Sequence, residues 1–405
     1  MLAAQVTSRR NIGYTIMALL LVLWLAALVV LAIAFEPDLY WFSYYSVDYT
    51  LGFVRRGLAG EMLDLFPAGH YFAGLHTLRW LSSTFFIGGL VAVAVRFGRS
   101  ERRLMLALLI AVLPFGFAFA VLSAHPDLFA GAALAGFAVT LASVKNGRST
   151  LFASATYGVT IAVLTLAHEA IPSLFSLGAV LAIATLAAHS PINIQRISAL
   201  LAVAPGLAVA VAAALLGRRG ISSQLCAMVP HGAVDWPAAG KLSASQILSG
   251  QHFYIDYHDW MCRNIIMNFD QTFADAARFV ASIGAGLLAS TAFGIALLTM
   301  TVLAIGHVSG VPFRRFCELP RRRLWWVTFA AVLMLPVFAT SVDWVRWWVT
   351  ISFDIGIVYL LYASSQPEAT QEPTRRTRVV FAVGVMLLAL FPVGVIPGFG
   401  VPPPV

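Results

Sequence analysis

Charge is scarce in this chain: 11% of its 405 residues are Asp, Glu, Lys or Arg, less than half of the roughly 25% carried by ordinary soluble domains. That excludes a soluble enzyme tethered by one anchor. Cysteine is scarcer still, at three residues, and no CxxC, CxxH or HExxH spacing occurs, so the sequence contains no recognisable zinc or redox site. Neither a P-loop nor a GxGxxG run lies between the apolar segments, which leaves no place for a nucleotide domain and argues against direct use of ATP. The alternation of apolar and polar residues that marks a membrane strand is missing as well. What remains is an all-α, polytopic integral membrane protein.

Apolar residues are present in quantity, 60% of the chain with a mean hydropathy of +0.85. Runs of roughly 17 to 25 apolar residues, each enough for a ~30 Å hydrocarbon core, number about eleven. They cover approximately 14–35, 73–95, 104–124, 128–144, 151–167, 170–188, 198–216, 279–305, 324–342, 347–363 and 379–396. The whole chain, 1–405, reads as a single multi-span membrane domain. Its first run is too long and too aromatic at its far end for a removable signal peptide, and no small-residue cleavage site follows it. It is expected to stay as a first helix. A pI near 9.7 could suggest nucleic acid, but the basic residues form short clusters between apolar runs, the pattern that sets membrane orientation. Nucleic acid is therefore discounted as a partner.

Putting the amino terminus inside collects Arg9, Arg10, Arg96, Arg99, Arg102, Arg103, Lys145, Arg148, Arg196, Arg314, Arg315, Arg321 to Arg323, Arg375, Arg376 and Arg378 in inner connections. That is 17 of 26 basic residues, whereas 14 of 18 acids fall on or near the outer side. The positive-inside rule then predicts a multi-pass protein of a bacterial cytoplasmic membrane with a cytoplasmic amino terminus. Eleven crossings would leave the Pro-rich tail, ending at Val405, outside. Two connections, 36–72 and 217–278, are far longer than the rest, and both fall outside. Long outer connections carry function more often than packing. The second holds Cys226 and Cys262, which an oxidising compartment would allow to pair; Cys317 falls inside and is expected to stay reduced.

A charge at membrane depth costs about 3 kcal/mol on insertion scales, so ionisable residues near the outer helix ends call for an explanation. Arg55 and Arg56 sit among Gly52, Gly57 and Gly60, where guanidinium forks and close backbone approach suit a phosphate; an interfacial helix touching lipid headgroups would look similar. His125-Pro126-Asp127 and His168-Glu169 occupy two connections so short that their polar groups must lie at the outer rim. A histidine beside a carboxylate is the usual make-up of an acid–base pair, although helix capping by Asp127 or Glu169 is an equal alternative. Adjacent residues on a helix do not face each other, so His168 and Glu169 are expected to find different partners. Asp343 and Arg346 are three apart and can pair on one helix face, with Asp354 two turns deeper in the same run. The stretch from His258-Asp259-Trp260 through Arg263, Asp270, Asp275 and Arg278 mixes acids, bases and aromatics, as sugar-binding surfaces and ordinary solvated loops both do.

These segments are far apart in sequence yet fall on one face once the topology is drawn, whereas an ion pathway would scatter polar residues through the depth. Asp48, the Gly-Phe-Val-Arg-Arg-Gly-Leu run at 52–58, His168-Glu169 with Pro172, and Asp-Trp-x-Arg-Trp at 343–347 resemble bacterial polytopic proteins associated with surface polysaccharide. The overall plan is similar to the GT-C superfamily of membrane glycosyltransferases. That resemblance implies an acidic residue in the first outer loop as base or metal partner, here Asp48, with Arg55 and Arg56 on a lipid phosphate. The chain departs from the superfamily in lacking an Asp-Asp or Asp-Glu pair in that loop, which puts metal dependence in doubt.

The expected activity is transfer of a sugar from a polyprenyl-phosphate-linked donor to a glycan or lipid acceptor at the outer face of the membrane, in cell-surface polysaccharide or glycolipid assembly. Asp48, His168 and Glu169 are the candidate catalytic residues. Arg55, Arg56, His125, Asp127, Asp343 and Arg346 are the candidates for substrate binding. A lipid phosphate is already a good leaving group, so no nucleotide or redox cofactor is called for, and a divalent cation is compatible but not indicated. Two alternatives remain open: a transporter or flippase of lipid-linked glycans using the same arginines, and a membrane O-acyltransferase using His168 or His125.

Overall fold

The computed structural model describes residues 2–35, 39–67, 69–236 and 242–390; the Pro-rich tail lies outside the described residues. The chain is predominantly helical. Helix α1 (Leu2–Phe35) is followed by a 3-10 helix over Leu39–Tyr45 and by α2 (Gly57–Leu63), α3 (Tyr71–Arg96), α4 (Glu101–Val112), α5 (Phe117–Leu122), α6 (Asp127–Leu141), α7 (Gly147–Thr165), α8 (Ile171–Leu186) and α9 (Ile192–Leu216). Small elements come next: α10 (Ser222–Met228), β1 (Ala233–Asp235), α11 (Ala244–Leu248), β2 (Tyr254–Asp256), α12 (Tyr257–Asn264) and α13 (Phe273–Ser282). The chain closes with α14 (Ala285–Ser309), α15 (Phe313–Arg321), α16 (Leu324–Val332), α17 (Leu335–Thr340), α18 (Trp344–Ser365) and α19 (Arg375–Leu390).

The helix boundaries follow local chemistry. Asn146 caps α7 by accepting from Ser149 N at 2.8 Å, and Thr272 and Asp275 form a capping box on α13. Leu113, the residue before Pro114, is extended at ψ 155° and separates α4 from α5, because a proline disfavours helical backbone in its predecessor. Helix α18 is the axis of the bundle, packed against α8, α14 and α6, and its apolar residues from Phe353 to Leu361 are among the most buried in the chain. Helix α1 is apolar all round and leaves Leu19, Leu20 and Leu23 exposed, the pattern of a helix with lipid as its solvent.

Among the described residues, six helices are long and apolar enough to cross a membrane, and the pair Phe313–Arg321 and Leu324–Thr340, bent by 98°, makes a seventh if it is one span. The sequence count of about eleven is therefore larger than the number that helix length supports. Within the described residues, the apolar runs do fall on helices or broken helices. The runs at 128–144 and 170–188, however, become helices of 15 and 16 residues, roughly 23 Å long and short of a ~30 Å core. Helix α7 has the length, but Arg148 and its serines and threonines dilute its hydropathy.

The bundle has two chemically different ends. At one, Arg102 donates to Val308 O at 2.8 Å and to Gln371 O at 3.2 Å, Arg103 to Ser364 O at 3.0 Å, and Arg378 forms a two-pronged pair with Glu101 at 2.7 and 2.8 Å. Arginines thus tie down the carbonyls left over at the carboxy termini of α14 and α18. At the other end, segments 39–67 and 217–270 pack on one another in a second apolar core that includes Leu39, Tyr45, Leu63, Leu225, Tyr257 and Phe269. The two long connections are thus a folded cap of short elements rather than open loops. Strand β1 pairs antiparallel with β2, Val234 opposite Ile255, and a disulfide between Cys226 and Cys262, with Cα atoms 5.3 Å apart, ties α10 to α12. Cys317 is free.

The crosslink spans 36 residues, for which chain entropy gives about 4 kcal/mol of stabilisation. Replacing both cysteines with serine is expected to speed amide exchange over 222–270 and leave α6, α8 and α18 unchanged. Identical exchange in the two proteins would contradict a cap held by its crosslink.

Candidate functional site

The floor of the site is a charge cluster at the cap end of the bundle. Asp127 opens α6 behind Pro126 and is 3% exposed, and His168 lies between α7 and α8, also 3% exposed. The Nδ1 atom of His168 bonds Asp127 Oδ1, and Nε2 of His125 lies 3.3 Å from Asp127 Oδ2. On its other side His125 donates from Nδ1 to the Ser123 carbonyl. The α6 amino terminus adds a favourable dipole for the Asp127 carboxylate. Trp41 stacks on His125 at 5.0 Å, and Tyr44 meets His168 edge-on at 4.9 Å, which locks both rings.

Above this floor stand three guanidiniums. Arg56 makes a two-pronged bond to Glu169 at 2.9 and 3.0 Å, while Arg55 lies 3.8 Å from the same carboxylate and bonds the Asn268 carbonyl of the cap. The bond from Leu58 N to Leu166 O, 3.3 Å, brings α2 against the α7–α8 turn and so brings the arginines to Glu169. Arg56 holds φ at +65°, the sole non-glycine residue in the left-handed region among those described. That is a conformation typically kept where the surroundings over-determine it. Arg346, 1% exposed in the first turn of α18, pairs with Asp343 at 2.9 Å. It lies over the rings of Trp347, Trp41 and Tyr44 at 4.2, 5.3 and 5.8 Å, while its Nε and Nη1 have no hydrogen-bond partner.

Arg55, Arg56, His168, Glu169, Asp343 and Arg346 all line one cavity of about 1050 Å³. One wall is apolar, made by Leu207 and Val211 of α9, Phe273 and Phe279 of α13 and Val337 of α17; the cap closes another with Trp236, Trp260 and Phe269. His125 and Asp127 lie beneath this surface. Because Asp127 holds Nδ1 of His168, Nε2 is the nitrogen left for the cavity.

Asp48 does not belong to the site. Its carboxylate accepts from Thr50 N at 2.8 Å within its own turn, and it does not line the cavity, because the turn that follows it carries the arginines inward and leaves Asp48 behind. Asp354 lies deeper, fully buried between α8 and α18. His258 and Asp259 pair with each other at 3.4 Å in the cap, and neither they nor Arg263, Asp270, Asp275 and Arg278 line the cavity, which Trp260 and Phe269 reach. The glycines near the arginines serve packing: a Cβ at Gly60 would strike the Val47 backbone and one at Gly57 the Tyr49 ring. Sequence reasoning missed Trp41 and Tyr44; the run Tyr40-Trp-Phe-Ser-Tyr-Tyr45, aromatic beyond what an interface belt needs, was the available signal.

Burial opposes ionisation of Glu169, but Arg56, His168 and Arg55 outweigh it and hold this carboxyl well below the usual carboxylate range. Burial also pushes the Tyr44 hydroxyl up to about 12. Arg56 is burdened by burial yet raised by Glu169, whereas at Arg55 burial wins and the shift is downward. The site therefore holds fixed positive charge, a neutral phenol, and a histidine oriented by a carboxylate. Among the described residues, Cys226, His258 and Cys262 bring three possible metal donors within 4.8 Å of one another, but there the two sulfurs are bonded to each other.

A family described as "Uncharacterised membrane protein Rv1490" matches residues 14–389. The chain belongs to that family. It is 39% identical over 401 residues, 96% of this chain and 92% of theirs, to proteins named Rv1490 and MT1536 in two Mycobacterium tuberculosis strains and Mb1527 in Mycobacterium bovis. No solved structure matches. The family name speaks of a membrane protein and assigns no activity.

Because the folded pKa of Glu169 is depressed, its contribution to stability is complete above its ordinary value of about 4.3 and is lost as pH falls towards the lower folded one. Glu169→Gln leaves Arg56 without its carboxylate, which is expected to cost about 1–3 kcal/mol at neutral pH. In thermal melts the variant should therefore lose less stability than wild type below about pH 5. Parallel pH profiles for the two proteins would contradict this.

Proposed function

We propose that this member of the family is a membrane transferase that moves a sugar from a polyprenyl-phosphate-linked donor to an acceptor hydroxyl, in the manner of the GT-C enzymes. One observation carries the reading: a single cavity joins a carboxylate-backed histidine, three guanidiniums and a long apolar wall. Each part answers one part of such a donor. The apolar wall between α9, α13 and α17 suits a prenyl chain. Arg346, with two unpaired buried donor nitrogens, together with Arg55 and Arg56, suits the phosphate.

The chemistry then needs one base and one stabilised leaving group. Nε2 of His168 takes the acceptor proton while Asp127 stabilises the imidazolium that forms. The acceptor oxygen bonds the anomeric carbon as the bond from that carbon to the phosphate oxygen breaks, and the guanidiniums hold the charge that leaves with the phosphate. Of the two bases considered, Asp48 and His168, His168 is the one that lines the cavity. Glu169 positions Arg56 and does not act as a base. In this reading the arginine-rich end faces the cytoplasm along with the amino terminus, and the cavity opens at the outer face of a bacterial cytoplasmic membrane. The short helices α6, α7, α8 and α19 then complete about eleven crossings, sheltered by their neighbours. The acceptor is a glycan or lipid of the cell envelope.

Transfer from polyprenyl-linked sugars in nanodiscs tests this. His168→Asn is expected to lower kcat by roughly 10²- to 10⁴-fold while donor binding persists. Undiminished turnover in His168→Asn would remove the base from the mechanism.

A further inference from the structure

Asp354 takes no part in the cavity, and among the described residues it is the acid with 0% exposure. It lies two turns below Arg346 on α18. Its Oδ2 accepts from Gly178 N of α8 at 3.0 Å, and its Oδ1 is buried with no partner. Helices α8 and α18 touch here: a Cβ built on Gly178 would lie 2.8 Å from Asp354 Oδ1 and would strike Leu134 of α6. Glycine at 178 is what lets the two backbones come this close around the carboxyl.

No cation faces it. Helix α8 carries no charged residue, and α6 has one, Asp127, at its far end. On α14, the other main neighbour of α18, His307 sits in the last turn at the arginine-rich end. Helix α7 presents Tyr157, in electrostatic contact with Asp354, but the Tyr157 hydroxyl is directed to the Phe175 carbonyl at 3.5 Å. Arg346 is held by Asp343 and by three aromatic rings. A carboxylate with one hydrogen bond and no counter-charge among apolar helices is far less stable than the corresponding acid.

We propose that Asp354 is a proton-binding site inside the bundle, occupied at neutral pH, and that its neutral form is what lets α8 pack this closely against α18. Loss of the proton would leave an uncompensated charge at the closest approach of the two helices, and separating them to admit water relieves it. The consequence reaches the cavity because the turn bearing His168 and Glu169 leads directly into α8, and Arg346 stands on α18. Proton occupancy at 354 thus fixes the spacing between the histidine wall and the arginine wall. The inference does not rest on the transferase reading, since any ligand held between those walls would feel it.

Infrared difference spectra of wild type against Asp354→Asn in nanodiscs test the site. At neutral pH the difference should contain the carbonyl band of a protonated carboxylic acid and should keep it into mildly alkaline buffer. Loss of carboxylate bands in its place would overturn the proposal. Asparagine mimics the neutral acid in size and still accepts from Gly178, so the variant should melt at the wild-type temperature; strong destabilisation would speak for an ionised Asp354. Wild-type protein carrying carboxyl-¹³C aspartate gives a readout independent of the variant. One aspartate should show a neutral-acid signal that stays fixed from mildly acidic to mildly alkaline pH, and a spectrum containing only ionised aspartates would refute the site.

Discussion

A carboxylate buried at the first residue of an apolar helix needs compensation, and the pairing of Asp127 with His168, with His125 close by, supplies it. The rest of the site is arranged around that pairing. Asp127 Oδ1 takes the Nδ1 proton of His168, which fixes how that ring is turned and leaves Nε2 for the cavity. Trp41 and Tyr44 cover the two imidazoles and also lie beneath Arg346. One pair of aromatic rings therefore seals the charge cluster from water and supports the nearest cation. Placing acid, base and guanidinium in a dry, pre-set geometry strengthens electrostatic interactions that water would weaken.

The cap is what makes the site a cavity instead of an open rim. Segments 39–67 and 217–270 have little to bury alone, and each completes the apolar core of the other. Asn268 and Phe269 then meet Arg55 directly, by a bond to its guanidinium and by a ring beneath it. Arg218 bonds back to the Phe53 carbonyl at 2.9 Å. The arginine turn is thereby fixed from both sides, and the left-handed Arg56 is held in a conformation it would not adopt in isolation.

Much of this was legible in the sequence because membrane chemistry is repetitive. Within the described residues the apolar runs fell on helices or broken helices, Arg102, Arg103 and Arg378 gather at one end of the bundle, and Asp343 with Arg346 forms the pair that a three-residue spacing allows. His168 and Glu169 turn to different partners, as adjacent residues must. What was not legible depends on contacts distant in sequence. No local pattern shows that Asp127 reaches a histidine 41 residues away, or that two outer segments fold as one cap. Asp48 was misread because loop position says nothing of side-chain direction, and the glycines were misread because close approach to a neighbouring backbone looks the same as close approach to a ligand. Helix length alone supports six or seven of the eleven expected crossings among the described residues, because a run of apolar residues does not reveal how short a helix within it will be.

In the proposed function, the arginines and the apolar wall form one binding site for a lipid phosphate. Its most direct test is the thermal shift of the nanodisc-embedded protein with a polyprenyl phosphate, set beside inorganic phosphate and a prenyl alcohol of equal chain length. A ligand that binds the folded state alone raises the melting temperature with its occupancy. The account predicts a clear upward shift for the lipid phosphate, little for either half alone, and loss of the shift in Arg346→Ala. Equal shifts for the alcohol and the phosphate, or a full shift in Arg346→Ala, would contradict it.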